Sequence, residues 1–220
     1  MKNKIAITIL FISLTMNSQH KSLGVSFNSG ISIIPNPLLE NLTHGDGFEN
    51  NLGLSGDIGL YYTHYFSLKS LIEIDLLYTL ISSNETHNIA IHDMDNSTIN
   101  YRKIKYQKRN YYITIPIKYG LEYNEFIYTL GAQISVNMNN FLESEGNSFD
   151  KPENYKETIK YDRYEKIDFG INIGIEKKIY NRIILGLKYY HGLNNLEDDI
   201  ISKNRQLTFG IKYELYRKLL

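Results

Sequence analysis

Strict alternation of apolar and polar residues constrains this chain more than any other feature. In one segment, for example, Tyr111, Ile113 and Ile115 alternate with Thr114 and Pro116. Because successive side chains of a β-strand point to opposite faces, such a segment predicts a strand with one apolar and one polar face. Eight segments show the pattern, and their apolar faces cover residues 23–33, 54–66, 72–80, 111–121, 126–138, 167–175, 183–193 and 207–215.

The two faces differ in charge as well as in polarity. The apolar face carries no charged residue in any of the eight segments, whereas the other face carries acids, lysines and nearly all of the strand glycines, with Gly56 as the exception. Burying those charges in a dry core would be costly. The arrangement with apolar residues towards lipid and polar residues in a lumen avoids this cost, and it is typical of a transmembrane β-barrel. A soluble sandwich or lipocalin-like barrel is the alternative.

The lengths of the predicted connections alternate, which favours the same architecture. Residues 34–53, 81–110, 139–166 and 194–206 are the longer connections, and residues 67–71, 124–125 and 176–182 are the shorter ones. Bacterial outer-membrane barrels have short periplasmic turns and long extracellular loops. We therefore predict an all-β, eight-stranded, antiparallel up-and-down transmembrane β-barrel in the cell outer membrane, with both termini in the periplasm.

The N-terminus has the layout of a secretory signal peptide. Lys2 and Lys4 precede an apolar run over residues 5–14, and small or polar residues follow. We expect a signal peptide over residues 1–18 and a barrel domain over 19–220. The chain contains no cysteine, so disulfide bonds and thiolate metal sites are excluded.

Acids and bases share the predicted lumen. An eight-stranded barrel has an interior that side chains just fill, so mixed charges there are expected to pair and to plug the tube. The predicted ion-pair network comprises Asp57, Glu73, Asp75, Lys118, Glu122, Asp168, Glu176, Arg182, Lys188, Lys212 and Glu214.

Two further features concern the membrane boundary. Tyrosines near the strand ends predict two aromatic girdles, since amphipathic rings prefer the headgroup level; they are Tyr62, Tyr78, Tyr111, Tyr123, Tyr189 and Tyr213. If the fourth strand extends beyond the membrane, Lys103, Lys105 and Arg109 continue the outward parity of Tyr111. They would then contact lipopolysaccharide phosphates, for which lysine and arginine are natural partners.

Composition and motifs narrow the function. Lys plus Arg and Asp plus Glu both total 24, so the formal net charge is zero, which argues against a nucleic-acid binder. His92, Asp93 and Asp95 lie close together in sequence, but no converging partner identifies a catalytic or metal site. We expect neither an enzyme nor a cofactor.

The ordered strand motifs resemble those of the outer membrane β-barrel proteins of Bacteroidetes-type bacteria, the PorT-like group. The resemblance is carried by residues 111–119, 128–132, 169–176, 187–195 and 203–213. It implies a signal-bearing, eight-stranded barrel of the outer membrane. The chain departs from such proteins at its end, where residues 216–220 replace a final aromatic residue.

These observations lead to a functional expectation with alternatives. We expect a barrel with a structural or interaction role, which presents surface loops to protein partners and contacts outer membrane lipid. A small pore, or a secretion- or uptake-associated component, is the second hypothesis. A surface enzyme acting on lipid or protein is the third.

Overall fold

Ten β-strands account for most of the described chain. The computed structural model describes residues 20–34, 47–92, 99–146, 155–160, 166–196 and 202–219. This part of the chain contains no helix that is long and apolar enough to cross a membrane. The strands are β1 (His20–Ile33), β2 (Gly47–Asn51), β3 (Gly53–Tyr65), β4 (Ser70–His92), β5 (Ile99–Tyr123), β6 (Phe126–Gly146), β7 (Tyr155–Lys160), β8 (Ile167–Tyr180), β9 (Ile183–Gly192) and β10 (Arg205–Leu219).

Eight of the strands form a closed ring. The hydrogen-bonded order is β4-β3-β1-β10-β9-β8-β6-β5, and β5 pairs with β4 to close the ring. The first and last strands pair along their whole length, from His20 opposite Leu219 to Ile33 opposite Arg205. Every pairing is antiparallel. The predicted eight-stranded antiparallel barrel is therefore confirmed, and each predicted segment lies in one strand of the ring.

The apolar face of the barrel points outward. Ile173 and Leu187 expose 51% and 46% of their surface, whereas Asp168 exposes none. Along β1, apolar Leu23, Val25 and Phe27 are exposed and the residues between them are buried. A soluble barrel would show the opposite arrangement, so the outer surface suits contact with lipid.

The two ends of the barrel differ. Both described termini lie at the end that carries the short connections 66–69, 124–125 and 181–182, which we call the turn end. Asn124 and Glu125 have φ values of 50° and 68°. Positive φ at both central residues is the signature of a type I′ hairpin, whose twist matches that of the flanking strands. We call the opposite end the loop end.

Several predicted loops are instead extensions of strands. Residues 81–110 are mostly strand, because β4 continues to His92 and β5 begins at Ile99. β6 continues to Gly146, and the short strands β2 and β7 pair with the extensions of β4 and β6. The result is a sheet of order β2-β4-β5-β6-β7 beyond the ring, which we call the projecting sheet.

These extensions lack a continuous apolar face, so periodicity alone does not predict them. Polar residues occupy both faces there, as Glu85 and Thr86 illustrate, and both of these side chains are buried. Backbone pairing with the neighbouring strand maintains the extension without an apolar stripe.

Small apolar clusters lie towards both ends of a polar interior. Ile34, Ile81, Tyr112 and Leu196 pack together towards the loop end. Tyr65, Leu71 and Ile127 pack together at the turn end. Charged and hydroxyl side chains occupy the space between the two clusters.

Inward glycines make room for larger lumenal side chains. A Cβ built on Gly210 would collide with the side chain of Asn28, and one on Gly24 would collide with the ring of Tyr61. These positions therefore need glycine, because the neighbouring side chains approach the backbone too closely to leave room for a Cβ atom.

Replacing Gly210 with alanine is expected to displace the Asn28 amide and to lower the stability of the barrel by about 1–3 kcal/mol, the usual cost of overpacking. At outward-facing Gly56 an added Cβ would lie 3.1 Å from the backbone carbonyl oxygen of Asn28, a much smaller overlap than at Gly210, where the nearest atom would lie at 1.7 Å, so Gly56→Ala provides a control of smaller expected effect. The temperature at which the folded band is lost in heat-modifiable gel migration measures both. An equal shift for the two variants would contradict this reading of the lumen.

Candidate functional site: the lumenal plug and the projecting sheet

Two lysines join the acids at the centre of the lumen. Lys118 Nζ lies 2.5 Å from a carboxylate oxygen of Glu73 and 2.8 Å from Asp75 Oδ2. All three side chains are buried. Glu73 lies directly opposite Lys118 in the β4–β5 register, so the strand pairing itself sets this contact.

The second lysine links strands across the tube. Lys212 on β10 contacts Glu73 at 2.5 Å and Glu176 on β8 at 2.6 Å. Its ammonium also lies 5.2 Å from the centre of the Tyr61 ring, within the range of a cation–π interaction. Glu73 is therefore shared by both lysines, which connects β4, β5, β8 and β10 inside the barrel.

A second group of polar side chains lies beside the first. Lys188 donates to Asp57 Oδ2 at 2.7 Å, and the side-chain amide of Asn28 donates to Asp57 Oδ1. The residues of these two groups together form what we call the lumenal plug: Asn28, Asp57, Glu73, Asp75, Lys118, Glu176, Lys188 and Lys212.

The plug leaves little open space. The cavity between Asn28, Asp75, Lys118 and Lys212 has a volume of about 20 Å³, which is room for a single water molecule. The turn end widens to a cavity of about 460 Å³, bordered by residues that include Tyr65. The lumen is therefore a vestibule that ends on a narrow constriction.

Three predicted network residues occupy other environments. Asp168 is buried towards the loop end, where Asn204 Nδ2 donates to its Oδ2 at 3.0 Å. Glu122 is half-buried and borders the turn-end cavity. Arg182 was expected in the lumen, but it is exposed in the turn between β8 and β9, because β8 continues to Tyr180.

Within the ring, the sequence analysis does not identify the partner of Glu214. Glu214 contacts Arg217, whose Nε and Nη2 both donate to the carboxylate. The register between β1 and β10 shifts beside Gly24, which faces Glu214 while Leu23 faces Tyr216. This bulge reverses the parity of the last residues, and alternation alone does not reveal it.

Removing one lysine from the plug tests its energetic role. Lys212→Met leaves the carboxylates of Glu73 and Glu176 without a shared cation, so we expect a loss of about 3–5 kcal/mol. Lys69→Met, in an exposed turn, serves as the control. Urea unfolding in lipid vesicles measures both variants. A second change, Glu176→Gln in the Lys212→Met background, should recover part of the loss; no recovery would show that the lysine acts by packing alone.

The predicted basic residues lie on the outward face of the projecting sheet, and one of them is paired. Lys103 and Lys105 are exposed. Arg109 Nη2 contacts Glu143, which also contacts Lys156. Register places Lys105 opposite Glu145. Acids from β6 therefore stand beside the bases from β5 and β7.

The inward face of the projecting sheet has its own ion pair. Lys108 Nζ lies 2.9 Å from Glu85 Oε1, and the ring of His87 contacts both Glu85 and the ring of Tyr106. Burial opposes ionisation of Glu85, but the hydrogen bond from His87 and the charge of Lys108 outweigh it and lower the pKa of this carboxyl.

This lowered pKa predicts a pH dependence of the projecting sheet. The ionised carboxylate stabilises the sheet fully above its ordinary pKa of 4.5, and this contribution is lost as the pH falls through the lower folded-state pKa. We expect the NMR signal of the Lys108 ammonium in nanodiscs to shift as the pH falls below about 4.5. Glu85→Gln should abolish the transition; a variant that retains it would assign the transition to another group.

The remaining sequence predictions concern a metal site, the motif at His92 and the signal peptide. Groups of three or more histidine, cysteine, aspartate or glutamate side chains that could hold a metal are absent from the described residues. Of the sequence motif at His92, residues 93–98 lie outside the described part. The signal peptide predicted over residues 1–18 also lies outside it.

A comparison with protein families matches most of the chain. The family model described as "Outer membrane protein beta-barrel domain" matches residues 17–198. A comparison with curated proteins finds no match.

Solved structures give similar folds at low sequence identity. The attachment invasion locus protein Ail of Yersinia pestis, in complex with the heparin analogue sucrose octasulfate, is 10% identical with a TM-score of 0.42, over 91% of this chain and 99% of that one. Neisserial surface protein A is 9% identical with a TM-score of 0.42, over 89% and 99%. The outer membrane protease OmpT of Escherichia coli is 9% identical with a TM-score of 0.43, over 91% and 98%.

Proposed function

The chain belongs to the outer membrane β-barrel domain family, and from this premise we propose that it is a structural or interaction barrel rather than a channel. It lies in the outer membrane. Its narrow lumen is closed by the plug, and its loop end carries the surface that meets partners.

The constriction at the plug carries this proposal. Lys118 and Lys212 bring ammonium groups within 2.8 Å of three carboxylates, two on β4 and one on β8. Moving either lysine would leave a buried charge without its partner, which is costly in a narrow, poorly hydrated tube. The contacts therefore favour a permanently closed interior.

The loop end supports an interaction role. The projecting sheet consists of extensions of three ring strands together with the short strands β2 and β7, and it holds its side chains on strands rather than on loops. Rigid placement of polar side chains reduces the ordering cost of binding. We propose that protein partners contact this end of the molecule.

Lipid contact is a second part of the proposal. Lys103 and Lys105 are exposed on the outward face, where phosphates of lipopolysaccharide would be accessible to them. Arg109 contributes less, because Glu143 already neutralises its charge. Lys105 has Glu145 opposite it on β6, so Lys103 is the strongest of the three candidates for phosphate contact.

A non-enzymatic role fits the acids of the lumen, since the lysines hold them as ion pairs. A place in the PorT-like group is supported by the strand motifs alone, and it would favour an association with secretion. The alternative of a small pore or uptake component draws on the open vestibule at the turn end.

Planar-bilayer recording separates the closed barrel from the pore. We expect purified protein to give no stable conductance steps. The triple variant Glu73→Ala, Lys118→Ala, Lys212→Ala removes the side chains at the constriction and should conduct, because it opens the passage beyond the vestibule. Stable steps from the unaltered protein would overturn the proposal, and heat-modifiable migration verifies that each sample is folded.

A further inference from the structure

We propose that the outward face of the projecting sheet forms a saccharide-binding groove for the sugar portion of the glycolipids that surround the barrel. The inference rests on the proposed surface role and names its partner. It concerns a cavity of about 360 Å³ at the loop end that spans β2, β4, β5 and β6.

Strand register gathers the lining side chains onto one face. Asn51 lies opposite Asn84, and Thr86 lies opposite Lys105. Lys105 in turn lies opposite Glu145 on β6. Because residues directly opposite each other in a sheet share a face, these side chains form one continuous polar surface across four strands.

The chemistry of this surface suits a polyhydroxylated ligand. The residues that border the cavity from the outward face are all polar, and Glu85 and Tyr106, which also border it, belong to the inward face. Ligand sites for drug-like molecules are mostly apolar, so this cavity fits a different ligand class. Sugar hydroxyls both donate and accept hydrogen bonds. The amide, hydroxyl, ammonium and carboxylate groups of this surface together supply acceptors and donors for them.

The amides are held in place while retaining capacity for a ligand. Asn84 Nδ2 donates to the carbonyl of Leu52 at 2.8 Å, and Asn51 Nδ2 donates to Thr86 Oγ1 at 3.3 Å. Gln107 Oε1 accepts from Arg109 Nε at 2.9 Å. Each bond uses one end of an amide and orients the opposite end, which can bond to a sugar hydroxyl.

The charge of the groove favours sugar over phosphate. Glu143 engages Arg109 and Lys156, and Lys105 has Glu145 as its neighbour across the strands. Positive and negative groups therefore alternate over the face. A polyanion would meet carboxylates as often as ammonium groups, whereas a neutral saccharide meets hydrogen-bonding partners throughout.

The position of the groove points to a membrane glycolipid as the source of the sugar. Below it, on the same outward face, the rings of Tyr78, Tyr111 and Phe141 pack together. Aromatic rings of this kind mark the membrane interface. At about 3.4 Å per residue, Glu143 and Glu145 lie about 7 and about 14 Å beyond Phe141 along β6. This is where headgroup sugars would stand beside the barrel.

A titration with core oligosaccharide tests the inference. The probe is the phosphate-free oligosaccharide released from lipopolysaccharide by mild acid and then dephosphorylated, added to the full chain in nanodiscs. We expect saturable NMR shifts at the side-chain amides of Asn84 and Gln107. Lys105→Ala with Gln107→Ala should weaken binding about tenfold or more, in line with the loss of two hydrogen bonds.

A matched control and two contrary outcomes complete the test. Asn195→Ala removes an exposed amide elsewhere at the loop end and should leave binding unchanged. Absence of shifts in the unaltered protein, or shifts only with inorganic phosphate or the phosphorylated oligosaccharide, would overturn the saccharide groove. Neither result depends on conductance, so the closed-barrel proposal is judged separately by bilayer recording.

Discussion

Closure of the backbone hydrogen-bond ladder is the constraint on which the rest of this structure depends. A membrane interior offers no water to unpaired amide and carbonyl groups, so a sheet in lipid must have no open edge. Here the first and last strands pair from His20 to Ile33 against β10, which completes the ring. Once the ring closes, the alternation of side chains allows only one orientation that keeps charges away from lipid.

Closure also determines what the interior must contain. Eight strands enclose a tube that side chains can fill, and the polar face supplies both large charged groups and glycines. Gly24 and Gly210 provide the space that Tyr61 and Asn28 occupy. The lysines then meet acids at positions set by strand register, as Glu73 and Lys118 do. The plug is thus a consequence of register and side-chain size together.

Much of the ring could be predicted from sequence, because lipid imposes an uninterrupted apolar face on every strand. The position of the hairpin at Asn124 and Glu125 follows from the short gap between two such apolar faces. The projecting sheet could not be predicted in this way, since water on both of its faces removes the selection for alternation. Arg182 and Arg217 show a finer limit of sequence periodicity. The length of β8 leaves Arg182 in an exposed turn, and the bulge beside Gly24 turns Arg217 towards the lumen. Periodicity predicts neither the strand length nor the bulge.

The ring and the projecting sheet are stabilised by different physical terms, which has a consequence for function. Lipid burial and the plug secure the ring, whereas the projecting sheet relies on backbone pairing and on ion pairs such as Lys108 with Glu85. Substitutions on the outward polar face of that sheet leave the closed ladder and the plug intact. The surface chemistry of the loop end can therefore change without loss of the barrel, as expected where a rigid scaffold carries the residues that recognise partners.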